Sequence, residues 1–567
     1  MSTPRIPVLI VGAGPVGLAA AYVLGRFGVR SIACEQHSSI NPHPRAHVVN
    51  TRTMELLRNW GIATSVAADS LPREWLTRII WTTTLAGEEL GRLNLMEEPA
   101  ERLAVRLTCS PEMTQSCAQD RVQRHLVDLV SQQGCCDLRW GTEVVDLADT
   151  EDGVQVTVSR GGETTAVLAE YVIGADGATS WVRRHRGIPM NGMPPLAQQI
   201  NVCFDADLTD LIGDRGAVLY WTINSTARGA FVAMDGKRRW TYNFEYNPAQ
   251  ESVADFTPAR CAAIVRDGLG TNDIPVEIQS VGGWTMCAET ASRYRDGRVF
   301  LAGDAAHRFP PTGGIGMNTG IADADNLAWK LAAVVQKWSG TALLDSYQVE
   351  RRPVAMSNTH YSVMNSIKMA STGIGPTAGV VVERLESPDA AIAAKQRADL
   401  GPAIEAQRSH FGALNQDLGY RYDMSRAAVV PDLTPLPESA DPAVDFVPLA
   451  RPGSRLPHFW VKCSDRVIST LDLVGPHFLL ITGRDGADHV KQLDRIADVP
   501  SVAYVLDRDI EATTPDLHAG LGITPRGCVL VRPDGHVAAR LATGESGDIA
   551  ELLPRVLAGH PPSVTVA

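Results

Sequence analysis

Residues 8–35 read VLIVGAGPVGLAAAYVLGRFGVRSIACE. Val8–Val11 is a short apolar run rich in β-branched residues and ended by Gly12, the pattern of a strand buried on both faces of a parallel sheet. From Val16 the residues Ala19, Ala20, Val23, Leu24 and Phe27 recur near i, i+3, i+4 spacing, which predicts a helix that Gly28 closes. Ser31–Cys34 is a second strand ending at Glu35. Strand, turn, helix and strand in so short a span open a doubly wound α/β sheet. In the turn, Gly12 permits the tight bend, Gly14 lets a pyrophosphate approach the backbone, and Gly17 lets helix pack on strand. The helix N-terminus offers free N–H groups and a positive dipole end to a diphosphate, and Glu35 is placed to bind ribose hydroxyls. These glycines also weigh against reading Arg5 and the apolar run behind it as a secretory leader, which needs none at this spacing.

The 567 residues suggest two to four domains. Hydrophobic residues at 44% and charged residues at 20% form an ordinary globular balance, which argues against a largely disordered chain. A formal net charge of −12 makes nucleic acid a poor partner, because phosphate backbones select basic surfaces. Beyond the N-terminal stretch, no apolar run approaches the roughly 20 residues of a membrane span. The ten cysteines show neither CxxC nor zinc spacing, which predicts reduced thiols in a cytoplasmic protein and no metal.

Further along, Gly153–Ser159 and Ala166–Ile173 resemble a hairpin leading into GADGATSWVRR at 174–184. Between about 195 and 285, alternating stretches such as VLYWTI and RWTYNFEY predict an antiparallel sheet. Arg298–Ala302 returns to a buried strand, followed by Gly303-Asp304 and the Gly-rich approach Pro310-Pro311-Thr312-Gly313-Gly314-Ile315-Gly316. A helix follows with Ile321, Ala324, Leu327, Ala328, Leu331, Val334 and Val335 on one face. Residues 366–445 read as helices and linker, and a separate α/β unit begins near 446. Alone, Asp176-Gly177 is more often a turn, and Gly303-Asp304 could also be one. Together with the first glycine motif they form three separated segments that converge on one nucleotide-type ligand, with backbone N–H groups of the 310–316 stretch facing an anionic ring.

The strings VLIVGAGPVGLAAA with Glu35, PRAHVVNTRTMELLRNWGI, GADGATSWVR, GRVFLAGDAAHRFPPTGGIGMNTGIADADNLAWKLA and LLDSYQVERRPVA, with PGSRLPHFWV and GCVLVRPDGHVAAR near the C-terminus, resemble the single-component flavin-dependent aromatic hydroxylases. That group holds p-hydroxybenzoate, phenol and dichlorophenol hydroxylases and polyketide-tailoring hydroxylases. The resemblance covers nearly the whole chain. It implies a Rossmann-like FAD-binding domain (1–75, 100–190 and 285–370), an interleaved antiparallel-sheet substrate domain (76–99 and 191–284), a helical or linker region (371–445) and a thioredoxin-like domain (446–567). Gly12, Gly14, Pro15 and Gly17 would bind the FAD diphosphate, with Glu35 on the adenosine ribose. Arg45 and Gln119 would contact the cofactor, Asp176 belongs to a motif linked with FAD and NAD(P)H, and Gly303-Asp304 would bind the ribityl chain. Gly314, Met317 and Asn318 would place backbone groups beside the pyrimidine end of the isoalloxazine.

The implied reaction uses FAD, NAD(P)H docked transiently and molecular oxygen, and hydroxylates a phenolic or polycyclic aromatic substrate through a flavin C4a-hydroperoxide. The protein must exclude water and hold the ring. Candidates for a flat apolar pocket are Trp221, Tyr242 and Trp284, with core packing competing for each. Alternation puts Trp240, Tyr242 and Phe244 on one face. Pro310 and Pro311 flank the flavin motif, and His307 is a candidate base whose commoner use is a packed, hydrogen-bonded histidine. The appended domain lacks CxxC, so a scaffold or oligomer role is its default, and the family suggests a homodimer. A polyketide-tailoring hydroxylase leads over a catabolic phenol or chlorophenol hydroxylase. A flavin-dependent halogenase lacks its WxWxIP signature here, since WTIN at 221–224 does not fit, and a flavoprotein that only binds a ligand is the remaining class.

Overall fold

A computed structural model describes residues 4–375, 378–422, 427–430, 434–496, 498–513, 517–543 and 548–559; the remaining parts of the 371–445 and 446–567 regions lie outside the described residues. The opening unit forms as strand Arg5–Val11, helix Pro15–Arg26 and strand Ser31–Glu35. The strands run parallel, Val8 opposite Ser31 and Val11 opposite Cys34. Cys136–Trp140 extends the sheet on one side, and Glu163–Gly174 and Val299–Leu301 on the other, all in parallel. Gly153–Arg160 folds back antiparallel on Glu163–Gly174, the expected hairpin. Val8, Leu9 and Ile10 are completely buried, and helix Pro15–Arg26 packs between helices Gln119–Gln133 and Gly316–Val335. Its Ala19, Ala20 and Ala21 are also fully buried, small side chains that let the helix axes approach.

A second sheet has seven strands in the order Glu277–Met286, Ala197–Asp205, Arg239–Tyr246, Gly229–Ala233, Leu219–Thr222, Arg78–Thr82 and Glu89–Asn94. Every joint is antiparallel except Leu219–Thr222 with Arg78–Thr82, which is parallel. The antiparallel expectation therefore misses one joint. Arg78–Thr82 arrives from a distant part of the chain, so no hairpin turn imposes its direction. One face of this sheet packs Phe204, Phe231, Trp240 and Tyr242 with Val265 and Leu269 of helix Pro258–Leu269. The other face is turned to a large cavity.

Toward the C-terminus, four strands run in the order Ser501–Val505, Phe478–Thr482, Cys528–Val531, Val537–Leu541, the first pair parallel and the others antiparallel. With helices Ala487–Leu493 and Ile549–Leu557 this is a thioredoxin-like arrangement. All ten cysteines are unpaired, and burial pushes the Cys528 thiol up to about 12. This unit shares a core with the first sheet's helices: Trp329 of Gly316–Val335 meets Phe478 edge-on at a centroid distance of 5.9 Å.

The joint also contains a fully buried ionic cluster. The Glu350 carboxylate accepts from Arg532 at 2.7 and 2.8 Å, from Lys330 Nζ at 2.6 Å and from Asn326 Nδ2 at 2.7 Å. Asp534 takes the other side of the Arg532 guanidinium and accepts from Trp329 Nε1 at 3.3 Å. Burial alone would raise the Glu350 pKa, but the Arg532 and Lys330 charges bring it down to about 2. Buried charges are tolerable only when paired, and removing one member strands the others. Glu350→Ala should therefore cost about 3–5 kcal/mol of stability, read as a lower denaturant midpoint; an unchanged midpoint would show that the cluster does not hold the units together.

Candidate active site

The glycine-rich turn is shaped by contacts at two glycines and by open space at the third. Gly12 has φ of +98°, and a Cβ there would stand 2.5 Å from the Ala175 carbonyl oxygen. A Cβ on Gly17 would collide with the Gly12 carbonyl oxygen. At Gly14, by contrast, no heavy atom lies within 4 Å of the Cβ position. Gly14 caps helix Pro15–Arg26 without a side-chain hydrogen bond, and Pro15 begins it. The turn is braced by Gln123, whose Nε2 donates to the Ala13 carbonyl at 2.7 Å, and by Glu35, whose Oε2 accepts the Ala13 N–H at 3.0 Å. A small anion can thus reach this helix N-terminus, where N–H groups lack intrahelical partners.

From this turn one continuous cavity of about 2570 Å³ runs past Glu35, Arg45, Gln119, Asp176 and Asp304 to Pro310, Pro311, Gly314 and Met317, and on to the seven-stranded sheet. Asp176 accepts from Ser180 Oγ and from the Val182 N–H at 2.9 Å, which caps helix Trp181–His185; burial raises its pKa against those hydrogen bonds. Asp304 follows a turn in which Gly303 takes φ of +63°. Its side chain is exposed to the cavity, and the protein around that cavity desolvates it and raises its pKa while His307 and Arg45 pull it down. Gly303 does not line the cavity; it makes the bend.

The 310–316 stretch delivers the N-terminus of helix Gly316–Val335. The first intrahelical bond runs from the Thr319 N–H to the Ile315 carbonyl at 2.9 Å, which leaves the N–H groups of Gly316, Met317 and Asn318 ahead of it. The Asn318 side chain is buried and committed elsewhere: Nδ2 donates to Gly314 at 2.7 Å and Val48 at 3.0 Å, and Oδ1 accepts from the Asn50 N–H at 3.1 Å. Only its backbone is left for a ligand, while its amide ties the loop to residues 48–50.

Two substrate-side expectations need correction. His307 is fully buried, donates from Nε2 to the Asp323 carboxylate at 2.7 Å, stacks on Phe309, and does not line the cavity, so it cannot serve a substrate as base. Tyr242 is also fully buried, with its hydroxyl 3.0 Å from Thr222 Oγ1 and its ring on Phe231, on the core face of the sheet. Alternation gives Tyr242 and its neighbours opposite faces, and the cavity receives Thr241 and Asn243 instead. Trp221 and Trp284 do line the cavity.

Strand register adds residues that spacing did not reveal. Trp221, Ala230, Asn243, Asn201 and Gly282 form one cross-strand row, beside a second row of Leu219, Val232 and Thr241. The floor is apolar at Leu219, Trp221, Ala230 and Val232 and polar at Thr241, Asn243 and Asn201. Asn201 Nδ2 donates to Asn243 Oδ1 at 2.8 Å, but Asn201 Oδ1, Thr241 Oγ1 and Trp221 Nε1 are buried without a protein partner. Such groups are costly to leave unpaired.

Fold and cavity together define a dinucleotide-binding α/β protein whose cofactor groove opens directly into a second, aromatic-floored compartment. A family model for the FAD binding domain matches residues 5–362, and one for the C-terminal region of aromatic-ring hydroxylases matches residues 450–561. A tetracenomycin B2 monooxygenase-dioxygenase of Streptomyces olivaceus is 35% identical over 578 residues, covering 98% of this chain and 100% of that protein. The 2,4-dichlorophenol 6-monooxygenase of Delftia acidovorans is 34% identical over 591 residues, covering 98% of each. Among solved structures, the flavin-dependent monooxygenase PieE, in complex with FAD and substrate, matches with a TM-score of 0.89 at 32% identity, over 98% of this chain and 99% of that one. The chain belongs to the FAD-dependent aromatic-ring hydroxylases, and it is a flavoprotein monooxygenase with the fold read from its sequence.

Because the Gly14 Cβ position is free of protein atoms, Gly14→Val should leave the fold intact while filling the cradle. The purified variant should keep its thermal midpoint and lose its bound flavin absorbance. Asp304→Ala should weaken FAD retention by roughly tenfold or more, the scale of one lost hydrogen bond to a charged group. Full FAD content in both variants would show that the cofactor sits elsewhere.

Proposed function

We propose that this enzyme hydroxylates a phenolic polycyclic aromatic substrate of the polyketide type, at the expense of NAD(P)H and molecular oxygen. The observation that carries the substrate class is the cross-strand row on the cavity floor. From Trp221 to Asn201 it crosses three strand spacings of ~4.8 Å, roughly 14 Å in all. That is longer than one phenol ring and suited to several fused rings, with an apolar end over Trp221 and an oxygenated end at the Asn243–Asn201 amide pair. The catabolic alternative, a monocyclic phenol or chlorophenol, would leave the amide end unserved. The relatives' own substrates, tetracenomycin B2 in one and 2,4-dichlorophenol in the other, span the same two possibilities.

In this reading Gly12, Gly14, Pro15 and Gly17 hold the FAD diphosphate, Glu35 the adenosine ribose, and Arg45, Gln119, Asp176 and Asp304 the chain between, with Asp304 on the ribityl hydroxyls. The backbone groups of Gly314, Met317 and Asn318 meet the ring. The chemistry supplied by bound FAD is reduction by NAD(P)H and activation of oxygen for transfer to an electron-rich ring. The protein's own work is positional. The N–H groups that open helix Gly316–Val335 stabilise negative charge at that end of the cavity. Pro310 and Pro311 form a rigid wall that keeps water from the reacting atoms. The floor fixes which ring edge faces the cofactor.

The resemblance also supports a cytoplasmic location and a homodimer, with no nucleic-acid partner; among the described residues no helix is long and apolar enough to cross a membrane. The test is NAD(P)H oxidation by the FAD-loaded enzyme. Polyhydroxylated tricyclic and tetracyclic quinones should stimulate it far more than 2,4-dichlorophenol, and Trp221→Ala should raise KM for the stimulating compound about tenfold, the value of one aromatic contact. Stronger stimulation by the monocyclic phenol would favour the catabolic reading.

A further inference from the structure

The cavity floor does not end at the row from Trp221 to Gly282. Two residues further along their strands, Glu245, Gln199 and Trp284 stand in register with one another and also line the chamber. Continuing the Ala230–Asn243 pairing by the same step places Arg228 beside Glu245 in this outer row, ~7 Å from the first. Arg228 ends the turn between strands Leu219–Thr222 and Gly229–Ala233. Among the described residues it is the one basic side chain that this sheet and its hairpin turns bring to the chamber. It is half-buried and, among the described residues, makes no hydrogen bond or ion pair with protein. Arg106 and Arg308, which line the chamber elsewhere, are held by Glu98 and Glu289. The Glu245 carboxyl is exposed to the chamber; desolvation raises its pKa and the Arg228 charge pulls it back, yet the two side chains do not pair.

We propose that the aromatic substrate carries an ionised carboxylate on its long edge and that Arg228 binds it at the outer row of the floor; this rests on the hydroxylase reading above. A guanidinium offers a planar fork of N–H donors that matches the two oxygens of a carboxylate. A half-buried one with no protein partner gains most from a ligand that supplies both acceptors. The geometry sets where the charge lies on the ligand. Fused rings laid along the row from Trp221 to Asn201 present an edge to the outer row, and a carboxyl group on that edge meets Arg228. Glu245 stands on the same side and repels an anion, so it limits the affinity and confines the carboxylate to the Arg228 end of the row. The unpaired charge thus selects acidic ring systems over their neutral isosteres, and it fixes which edge of the rings is turned outward.

The experiment titrates the FAD-loaded enzyme at neutral pH with 4,5-dihydroxyanthraquinone-2-carboxylate and with its methyl ester, following the flavin absorbance. The wild type should prefer the carboxylate by roughly tenfold, the worth of one hydrogen-bonded charge pair. Arg228→Gln should bring the two affinities within about twofold, with FAD content and affinity for the ester as in the wild type. Arg228→Lys keeps the charge without the fork and should retain part of the preference. Glu245→Gln removes the repulsion and should raise the preference above that of the wild type, a gain that a merely structural role would not produce. A wild type without the preference, or an Arg228→Gln enzyme that keeps it in full, overturns the proposal; if the ester still stimulates NAD(P)H oxidation, the hydroxylase reading stands. A flavin-loaded wild type that binds neither compound also overturns the proposal, and if it oxidises NAD(P)H without response to any phenol, the hydroxylase reading fails with it.

Discussion

The cofactor side of this protein depends on one buried carboxylate. Asp323, with no exposed surface, accepts from Arg351 Nε at 2.7 Å, from the Gly303 N–H at 3.2 Å, and pairs with His307 Nε2 at 2.7 Å. Burial alone would raise its pKa, but the Arg351 and His307 charges hold it below the usual carboxylate range. An ionised group at that depth must be fully paired, so the three partners are held together. Arg351 also donates to the Thr319 carbonyl at 3.1 Å. The result pins the Gly303-Asp304 turn, the first turns of helix Gly316–Val335 and the long helix Asp345–Met369 to one another. Asp304 can then face the cavity, and the helix N-terminus is presented to the same space.

The far end of that helix has a different task. Trp329 and Lys330 are taken into the core and the ionic cluster shared with the C-terminal unit. One helix thus connects the end of the cavity lined by Gly316 and Met317 to the thioredoxin-like fold. Cys528 is buried on a central strand with its thiol pushed up to about 12, unsuited to exchange chemistry. The unit is joined to the rest of the chain by packing and paired charge.

Much of this was legible in the residues because it is local. Gly17 is required by the Gly12 carbonyl inside its own strand–turn–helix unit and Gly12 by the positive φ of the turn, to which the distant Ala175 adds a close contact; Glu35 is set by the end of the next strand, and Asp304 by the turn after a buried strand. The substrate side was less legible for two reasons. Period-two alternation shows that Trp240 and Tyr242 share a face, but not which face meets the helix Pro258–Leu269 core; that is decided by tertiary packing, which buried Tyr242 and left Thr241 and Asn243 to the cavity. The row from Trp221 to Asn201 exists only through strand register between distant segments.

Cofactor groove and aromatic compartment form one chamber, which in the proposed reaction lets oxygen activated at the first be delivered to a ring held in the second. The most direct measurement is turnover under 18O2 with a polyhydroxylated quinone that stimulates NAD(P)H oxidation, followed by mass analysis of the product. One 18O atom is expected in a newly hydroxylated product. Oxidation that yields only hydrogen peroxide, or a product whose oxygen comes from water, would contradict it.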